Sequence, residues 1–338
     1  MKTAFITGSA GFIGFHVCKK LLSIGWKVVG IDGMTDYYDV ELKKSRNCIL
    51  KKSKNFVFKH CLLEDKKLIE DIFSEFKPQI VIHLAAQAGV RYSMEKPQEY
   101  VQSNIVGTFN ILEFLKEYKC EHFLMASTSS IYGSNEQLPF GENDKCDSQK
   151  SIYAATKKAA ETLSHTYSHL YDIPTTCFRF FTVYGPWGRP DMALFSFTEK
   201  MLNSEPIDVF NMGDMLRDFT FIDDLVEAIS KLLEVVPSAN SSKDFAQDSL
   251  SDIAPWRVVN IGNSQPRTLM DFITALENAL NIKAIKRFLN LQPGDIKETH
   301  SDNSLLKDLT GFEPKTNLET GIEEFVQWYK MYKKIRER

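Results

Sequence analysis

Tyr153-Ala154-Ala155-Thr156-Lys157 sets a phenol and an ammonium four residues apart, so a helix would carry both on one face. An ammonium beside a phenol favours the phenolate and draws a pKa normally about 10 toward neutrality. A tyrosine so tuned takes a proton from a hydroxyl group and later returns it. Alone the spacing is weak evidence, because a surface Tyr/Lys pair produces it too. Ser127-Thr128-Ser129-Ser130 adds weight: these hydroxyls leave an apolar run and are aimed at the same sheet edge, where one of them could orient the hydroxyl being oxidised. The alternative for Ser129 or Ser130 is a strand-end hydroxyl bonded to backbone.

A second chemistry is written into Gly8-Ser9-Ala10-Gly11-Phe12-Ile13-Gly14. The spacing is GxxGxxG. Glycine permits a tight turn, close backbone approach to a pyrophosphate and close packing of helix on strand, and the helix N-terminus at Phe12 and Ile13 faces the anion. Asp32 ends the next apolar run. A carboxylate there accepts hydrogen bonds from ribose hydroxyls and repels a 2′-phosphate, which favours NAD over NADP. Small residues in Leu84-Ala85-Ala86-Gln87 would let backbone lie against the cofactor.

These groups need a scaffold that delivers them to one edge. Lys2–Ile6, Lys27–Ile31, Phe56–Lys59, Ile80–Leu84, His122–Ser127 and Thr175–Phe178 read as buried strands. Phe12–Ile24, Lys66–Phe76, Pro97–Tyr118 and Tyr153–Tyr171 carry helical periodicity between them. The alternation predicts an α/β fold: a Rossmann-like, doubly wound parallel sheet with a smaller, mostly C-terminal α/β substrate lobe. Residues 1–180 would form the nucleotide domain, with later segments at about 210–265 returning to it, and 181–338 the lobe. Pro237–Pro255, rich in Ser and Asp, reads as an exposed loop.

With 338 residues, 43% hydrophobic and 25% charged, the composition is that of a soluble globular enzyme. A net charge of −3 offers no basic field for nucleic acid or an anionic membrane. No apolar run approaches the roughly twenty residues of a membrane span. Six scattered cysteines without CxxC spacing read as reduced thiols in a cytoplasmic protein, and no His/Cys/carboxylate cluster has metal-ligand spacing. His83, inside a strand, reads as a structural histidine.

Taken together, the GxxGxxG turn, Asp32, the Ser/Thr cluster and YxxxK resemble the extended short-chain dehydrogenase/reductase superfamily, over essentially the whole chain. More narrowly, the sequence resembles the UDP-glucuronate 4-epimerase family of capsule and lipopolysaccharide synthesis. That likeness is carried by His83–Ser93, Asp36-Tyr37-Tyr38-Asp39, Arg179–Met192, Arg217–Asp224 and Gln292–Asp295. It implies Thr128, Tyr153 and Lys157 as catalytic residues. It also implies an NAD site using Gly8, Gly11, Phe12, Ile13, Gly14, Asp32, Leu84, Ala85, Ala86, Gln87 and Ser127 besides Tyr153 and Lys157. The UDP-sugar would be bound by Arg91, Thr128, Ser129, Ser130, Thr182, Arg189, Arg217 and Asp295, with the arginines suited to phosphate. A homodimer is implied through a four-helix bundle, here assigned to Pro97–Tyr118 and Tyr153–Tyr171. Two positions depart from the family pattern: Leu62, where relatives usually place an aspartate that meets the adenine, and Gly33, where many have asparagine.

Ser129 and Ser130 also bear on the reaction. Related dehydratases and decarboxylases carry a carboxylate at the second of these positions, whereas a serine hydroxyl has no general-base capacity near neutral pH. Removal of the C5 proton then lacks an agent, and return of the hydride to the opposite face of C4 is the outcome left. Hydroxyl donors suit a C6 carboxylate, since hydrogen bonds to a charged acceptor are among the stronger ones. The competing expectations are epimerisation of neutral UDP-hexoses or UDP-N-acetylhexosamines, and a catalytically silent nucleotide-binding protein.

Overall fold

A computed structural model describes residues 1–238, 243, 245, 247–292 and 294–336. The apolar runs of the first half form β1 (Thr3–Thr7), β2 (Lys27–Asp32), β3 (Phe56–His60), β4 (Ile80–His83), β5 (His122–Thr128) and β6 (Thr175–Phe180). With Trp256–Ile261 they build one seven-stranded sheet in the order Trp256–Ile261, β6, β5, β4, β1, β2, β3. Every pairing is parallel. β1 and β5 are buried along their whole length, as strands covered on both faces must be. Alternate side chains serve opposite layers. Phe5 meets Phe73 of α3 (Lys66–Phe76) at 5.2 Å between ring centres, while Ala4 and Ile6 share a core with Phe15 of α1 (Phe12–Ser23).

The strand order reverses between β1 and β4, which opens a crevice at their carboxyl ends. The helices that flank it start where side chains can take their free amides. Asp65 accepts from Leu68 N and opens α3, which accounts for this aspartate beyond β3. Ser151 accepts from Ala154 N and opens the helix Ile152–Tyr171.

Three elements depart from the sequence expectation. Helix α2 (Val40–Leu50) is absent from the sequence expectation, because Lys43, Arg46 and Asn47 share its inward face with Leu42 and Leu50 and interrupt the apolar stripe. Pro97–Tyr118 is not one regular helix: a π-helical stretch at Val101–Val106 separates Pro97–Tyr100 from Gly107–Tyr118. Pro237–Pro255 is not simply exposed. Its residues 239–242, 244 and 246 lie outside the described residues, but Asp248, Leu250 and Ala254 are buried. Asp248 forms a two-bond fork with Arg257 of the edge strand, both bonds 2.9 Å.

The remaining chain makes two-stranded pairs: β7 (Thr182–Tyr184) with Phe219–Phe221, Leu216–Arg217 with Arg267–Thr268, and Ile207–Val209 with Lys286–Phe288. Among the described residues no helix is long and apolar enough to cross a membrane, and no group of His, Cys, Asp and Glu is placed to hold a metal. All six cysteines are free thiols.

Candidate active site

A cleft of about 750 Å³ occupies the crevice between β1 and β4. Its walls bring together Gly8, Gly11, Phe12, Ile13, Gly14, Asp32, Leu84, Ala85, Ala86, Gln87, Ser127, Thr128, Tyr153, Lys157 and Arg189.

The glycine turn is held by contacts that leave no room for a Cβ. Gly8 has φ +73°, and a Cβ on it would lie 2.9 Å from Ala85 N; a Cβ on Gly14 would lie 2.0 Å from the Gly8 carbonyl oxygen. The turn thus packs on both the loop after β4 and the first turn of α1. No side chain caps the α1 N-terminus, so its first amides remain available to an anion. Buried Asp32 braces this arrangement: Oδ2 accepts from Ala10 N at 3.1 Å and Oδ1 from Met34 N at 2.8 Å. One carboxylate therefore links the glycine turn to the turn after β2, with lone pairs left for a ligand.

Under the cleft runs a buried polar chain that sequence reasoning missed. Thr7 Oγ1 accepts from Leu84 N and Ala85 N at 3.1 and 3.0 Å, so its own hydrogen goes to His83 Nδ1 at 2.8 Å. His83 Nε2 then donates to Thr108 Oγ1 at 3.1 Å, and Thr108 donates to Asn104 O at 2.6 Å. Burial, seconded by the Lys157 charge, lowers the His83 pKa to about 3, so the ring is neutral and structural. Asn104 lies in the π-helical stretch and binds Gln87 and Thr156. Such stretches recur at functional sites, but nothing in the local sequence announces this one.

Tyr153 and Lys157 meet the cleft as expected, but their electrostatics differ from the expectation. Burial pushes the Tyr153 phenol up; the Thr128 hydroxyl, hydrogen-bonded to it, and the Arg189 charge pull the other way. Desolvation outweighs both, so the phenol is held above its ordinary value rather than drawn toward neutrality. Lys157 is itself shifted down to about 8 by burial, with Cys177 and Glu161 opposing. It is 2% exposed and has no hydrogen bond or salt bridge among the described residues. A buried ammonium that faces a cleft unpaired is suited to a ligand's hydroxyls. One turn further, Glu161 receives a buried fork from Arg179, Nε and Nη2 each at 3.1 Å.

Six expected substrate residues lie outside the cleft walls. Ser129 and Ser130 form a short turn after β5, with Ser130 N donating to Thr128 Oγ1 at 3.2 Å. Thr182 donates its N–H to Asp218 O at 3.0 Å, between Phe181 and Val183, which do line the cleft. Arg91 pairs with Asp295 at 2.8 Å and stacks 4.1 Å from the Phe210 ring. Arg217 is not a free guanidinium: it donates to the carbonyls of Leu216, Ile296 and Lys297. Its neighbour Asp218 is turned away from it and accepts from the Asn263, Ser264 and Ser301 N–H groups. Arg91, Asp295 and Arg217 form a second polar cluster, which adjoins the cleft where Gly294 packs on Val90; Pro293 of this segment lies outside the described residues. Arg189 is in the cleft but already engaged by Asp191, with Nε to Oδ1 at 3.0 Å.

The two departures near β2 and β3 touch each other. A Cβ on Gly33 would lie 2.4 Å from Leu62 Cδ2, so the leucine occupies the space that any side chain at 33 would claim. Both residues line the cleft, and Leu62 is half-exposed there.

A parallel sheet with a glycine-walled crevice at its switch point is the architecture of an α/β dinucleotide-binding enzyme. The chain belongs to the NAD dependent epimerase/dehydratase family, which matches residues 4–246. It is 52% identical to a probable UDP-glucuronate 4-epimerase of Rhizobium meliloti over 326 residues, 96% of each chain. It is 49% identical to the protein CapI of Staphylococcus aureus over 331 residues, 97% of this chain and 98% of that one. A crystal structure of the UDP-glucuronic acid 4-epimerase of Bacillus cereus, in complex with UDP-glucuronic acid and NAD, superposes with a TM-score of 0.87 at 33% identity. That match covers 98% of this chain and 99% of the other.

Proposed function

We propose that this chain interconverts UDP-glucuronate and UDP-galacturonate by inverting C4 through a 4-keto sugar, with NAD as its cofactor, to supply cell-surface polysaccharide precursors. The observation that carries the reading is the convergence of Thr128, Tyr153 and Lys157 in a cleft whose glycine turn excludes side chains. The names of the relatives at 52% and 33% identity support the choice of substrate.

The chain's residues divide the work. Gly8, Gly11, Phe12, Ile13 and Gly14 cradle the pyrophosphate; Asp32 takes a ribose; Leu84–Gln87 and Ser127 border the remainder, and Lys157 meets ribose hydroxyls. When bound, NAD supplies reversible hydride chemistry. Tyr153 removes the proton from the C4 hydroxyl and later returns it, with Thr128 holding that oxygen. Burial pushes the phenol up, and the Thr128 hydroxyl and the Arg189 charge act against it, in the direction of the phenolate. Ser129, Ser130 and Thr182, next to the cleft walls, offer donors to the C6 carboxylate and no base for C5. Arg189 exchanges Asp191 for an anionic group of the substrate, and the cluster of Arg91, Arg217 and Asp295 takes the nucleotide end.

In domain terms, residues 1–180 with the returning part of 210–265 bind NAD, and the rest of 181–338 closes the sugar site. Trp256–Ile261 supports this by completing the main sheet. The free thiols suit a reducing cytoplasm. Dimerisation uses Pro97–Tyr118 and Ile152–Tyr171, where Val101, Phe109, Ile152 and Leu170 are exposed.

Incubating the pure protein with UDP-glucuronate, UDP-galacturonate, UDP-glucose and UDP-N-acetylglucosamine, then separating the products, tests the reading. Interconversion of the two uronates is expected. Preference for the neutral sugars, or accumulation of UDP-pentose, contradicts it.

A further inference from the structure

The turn Gly185-Pro186-Trp187-Gly188 leads from β7 to Arg189, and its carbonyls are gripped by side chains of α1 and α2. His16 of α1 donates through Nε2 to Pro186 O at 2.9 Å. Arg46 of α2 donates through Nη2 to Trp187 O at 2.6 Å and Gly188 O at 3.4 Å. Three successive carbonyls are thus held by two helices of the dinucleotide side. The other nitrogen of the same guanidinium, Nη1, donates to Ala10 O inside the glycine turn at 2.9 Å and to Tyr38 Oη at 2.8 Å.

Arg46 is 0% exposed and has no salt bridge among the described residues. Arginine is almost never fully buried unless paired, because desolvating the charge is costly. Here acceptors from three separate segments take the place of a counter-ion, so the residue is sensitive to the distance between them. Trp187 is fixed as well: its φ is +62°, and its ring packs 5.4 Å from Phe15 and 5.1 Å from Trp328. Arg189 follows directly.

We infer that Arg46, assisted by His16, is a positioning residue that sets Arg189 at a fixed distance from the glycine turn. The identity of the substrate in this inference rests on the epimerase reading; the coupling between the two arginines does not. Charge alone cannot do this work. A lysine is a point donor and cannot span Ala10 O and Trp187 O together, whereas the planar fork can.

A double-mutant cycle on the NAD-loaded protein tests it, with Arg46→Lys, Arg189→Gln and the pair, read as KM and kcat for UDP-glucuronate and as calorimetric Kd. Arg46→Lys is expected to raise KM and Kd about tenfold with kcat within about threefold, a misplacement effect acting at a distance. In the Arg189→Gln background the same change should matter less than about twofold, since positions coupled through a shared backbone shift are non-additive. Equal tenfold effects in both backgrounds, or an unchanged KM and Kd for Arg46→Lys alone, would overturn the inference. If Arg46→Lys does not fold, His16→Met replaces it, with a smaller rise that must also vanish beside Arg189→Gln. A wild-type protein that binds UDP-glucuronate without converting it contradicts the functional reading alone, because the Kd cycle still reports the coupling.

Discussion

Asn104 holds the backbone of Gln87 from both sides: its Oδ1 accepts Gln87 N–H at 2.7 Å and its Nδ2 donates to Gln87 O at 3.0 Å. The same Nδ2 reaches Thr156 Oγ1 at 3.0 Å, on the helix of Tyr153 and one residue before Lys157. One amide therefore sets the cleft wall after β4 against the helix that carries the proton chemistry. Asn104→Ala strands these backbone groups and should cost about 1–3 kcal/mol for each buried group left unpaired. Thermal unfolding with NAD quantified in the same preparation checks this; an unchanged midpoint and full NAD content would refute it.

Gly14→Ala should fail more sharply than a helix propensity scale suggests, since alanine is the best helix former. The new Cβ would meet the Gly8 carbonyl oxygen at 2.0 Å and its carbon at 2.8 Å, both backbone, so the turn must move. Overpacking of this kind costs about 1–3 kcal/mol, and here it displaces the anion-binding amides too. The expected outcome is protein purified without NAD and with weakened binding in a titration. Retention of NAD at the wild-type level would contradict the packing argument.

Lys157 should titrate near 8 rather than at its ordinary 10.5 in the NAD-free protein. The folded state releases this proton before the unfolded chain does. Between these values the unfolded state binds more protons, so this group adds stability as pH rises through that window. NMR of lysine labelled at Cε, with Lys157→Met to assign the signal, measures it directly. A midpoint at or above 10.5 would mean that burial does not control this ammonium.

His83 predicts the opposite limb of the pH profile. The folded ring stays neutral down to about 3, while the unfolded imidazole takes up its proton below 6.5. Stability from this group is complete above 6.5 and is lost as pH falls from there toward 3. His83→Asn should therefore be destabilised at neutral pH yet show a shallower fall in acid, by chemical denaturation at several pH values. An equal acid slope in both proteins would contradict the neutral, Thr7-bonded imidazole.

What the sequence disclosed was local. The spacing of Gly8, Gly11 and Gly14 and of Tyr153 and Lys157 is a property of one turn and one helix, and alternating apolar runs betrayed the first six strands. Features that depend on distant partners stayed hidden. The apolar face of helix α2 is broken because Lys43 and Arg46 turn inward between Leu42 and Leu50 to serve the Thr35 and Ala10 carbonyls. The strand Trp256–Ile261 joins the sheet beside β6 from some eighty residues away in sequence. Arg217 looked free on paper because its partners are backbone carbonyls, which every residue type provides. The Tyr153 expectation weighed the ammonium beside the phenol but not the walls around both.

The central claim, inversion of C4 by removal and return of the same hydrogen, is tested most directly with UDP-glucuronate deuterated at C4 in ordinary water. The expected product is UDP-galacturonate that keeps its deuterium at C4, formed by the wild type and slower by about 10²–10⁴ in Tyr153→Phe. Product carrying protium at C4, or a Tyr153→Phe variant that matches the wild-type rate at saturating substrate, would contradict the account.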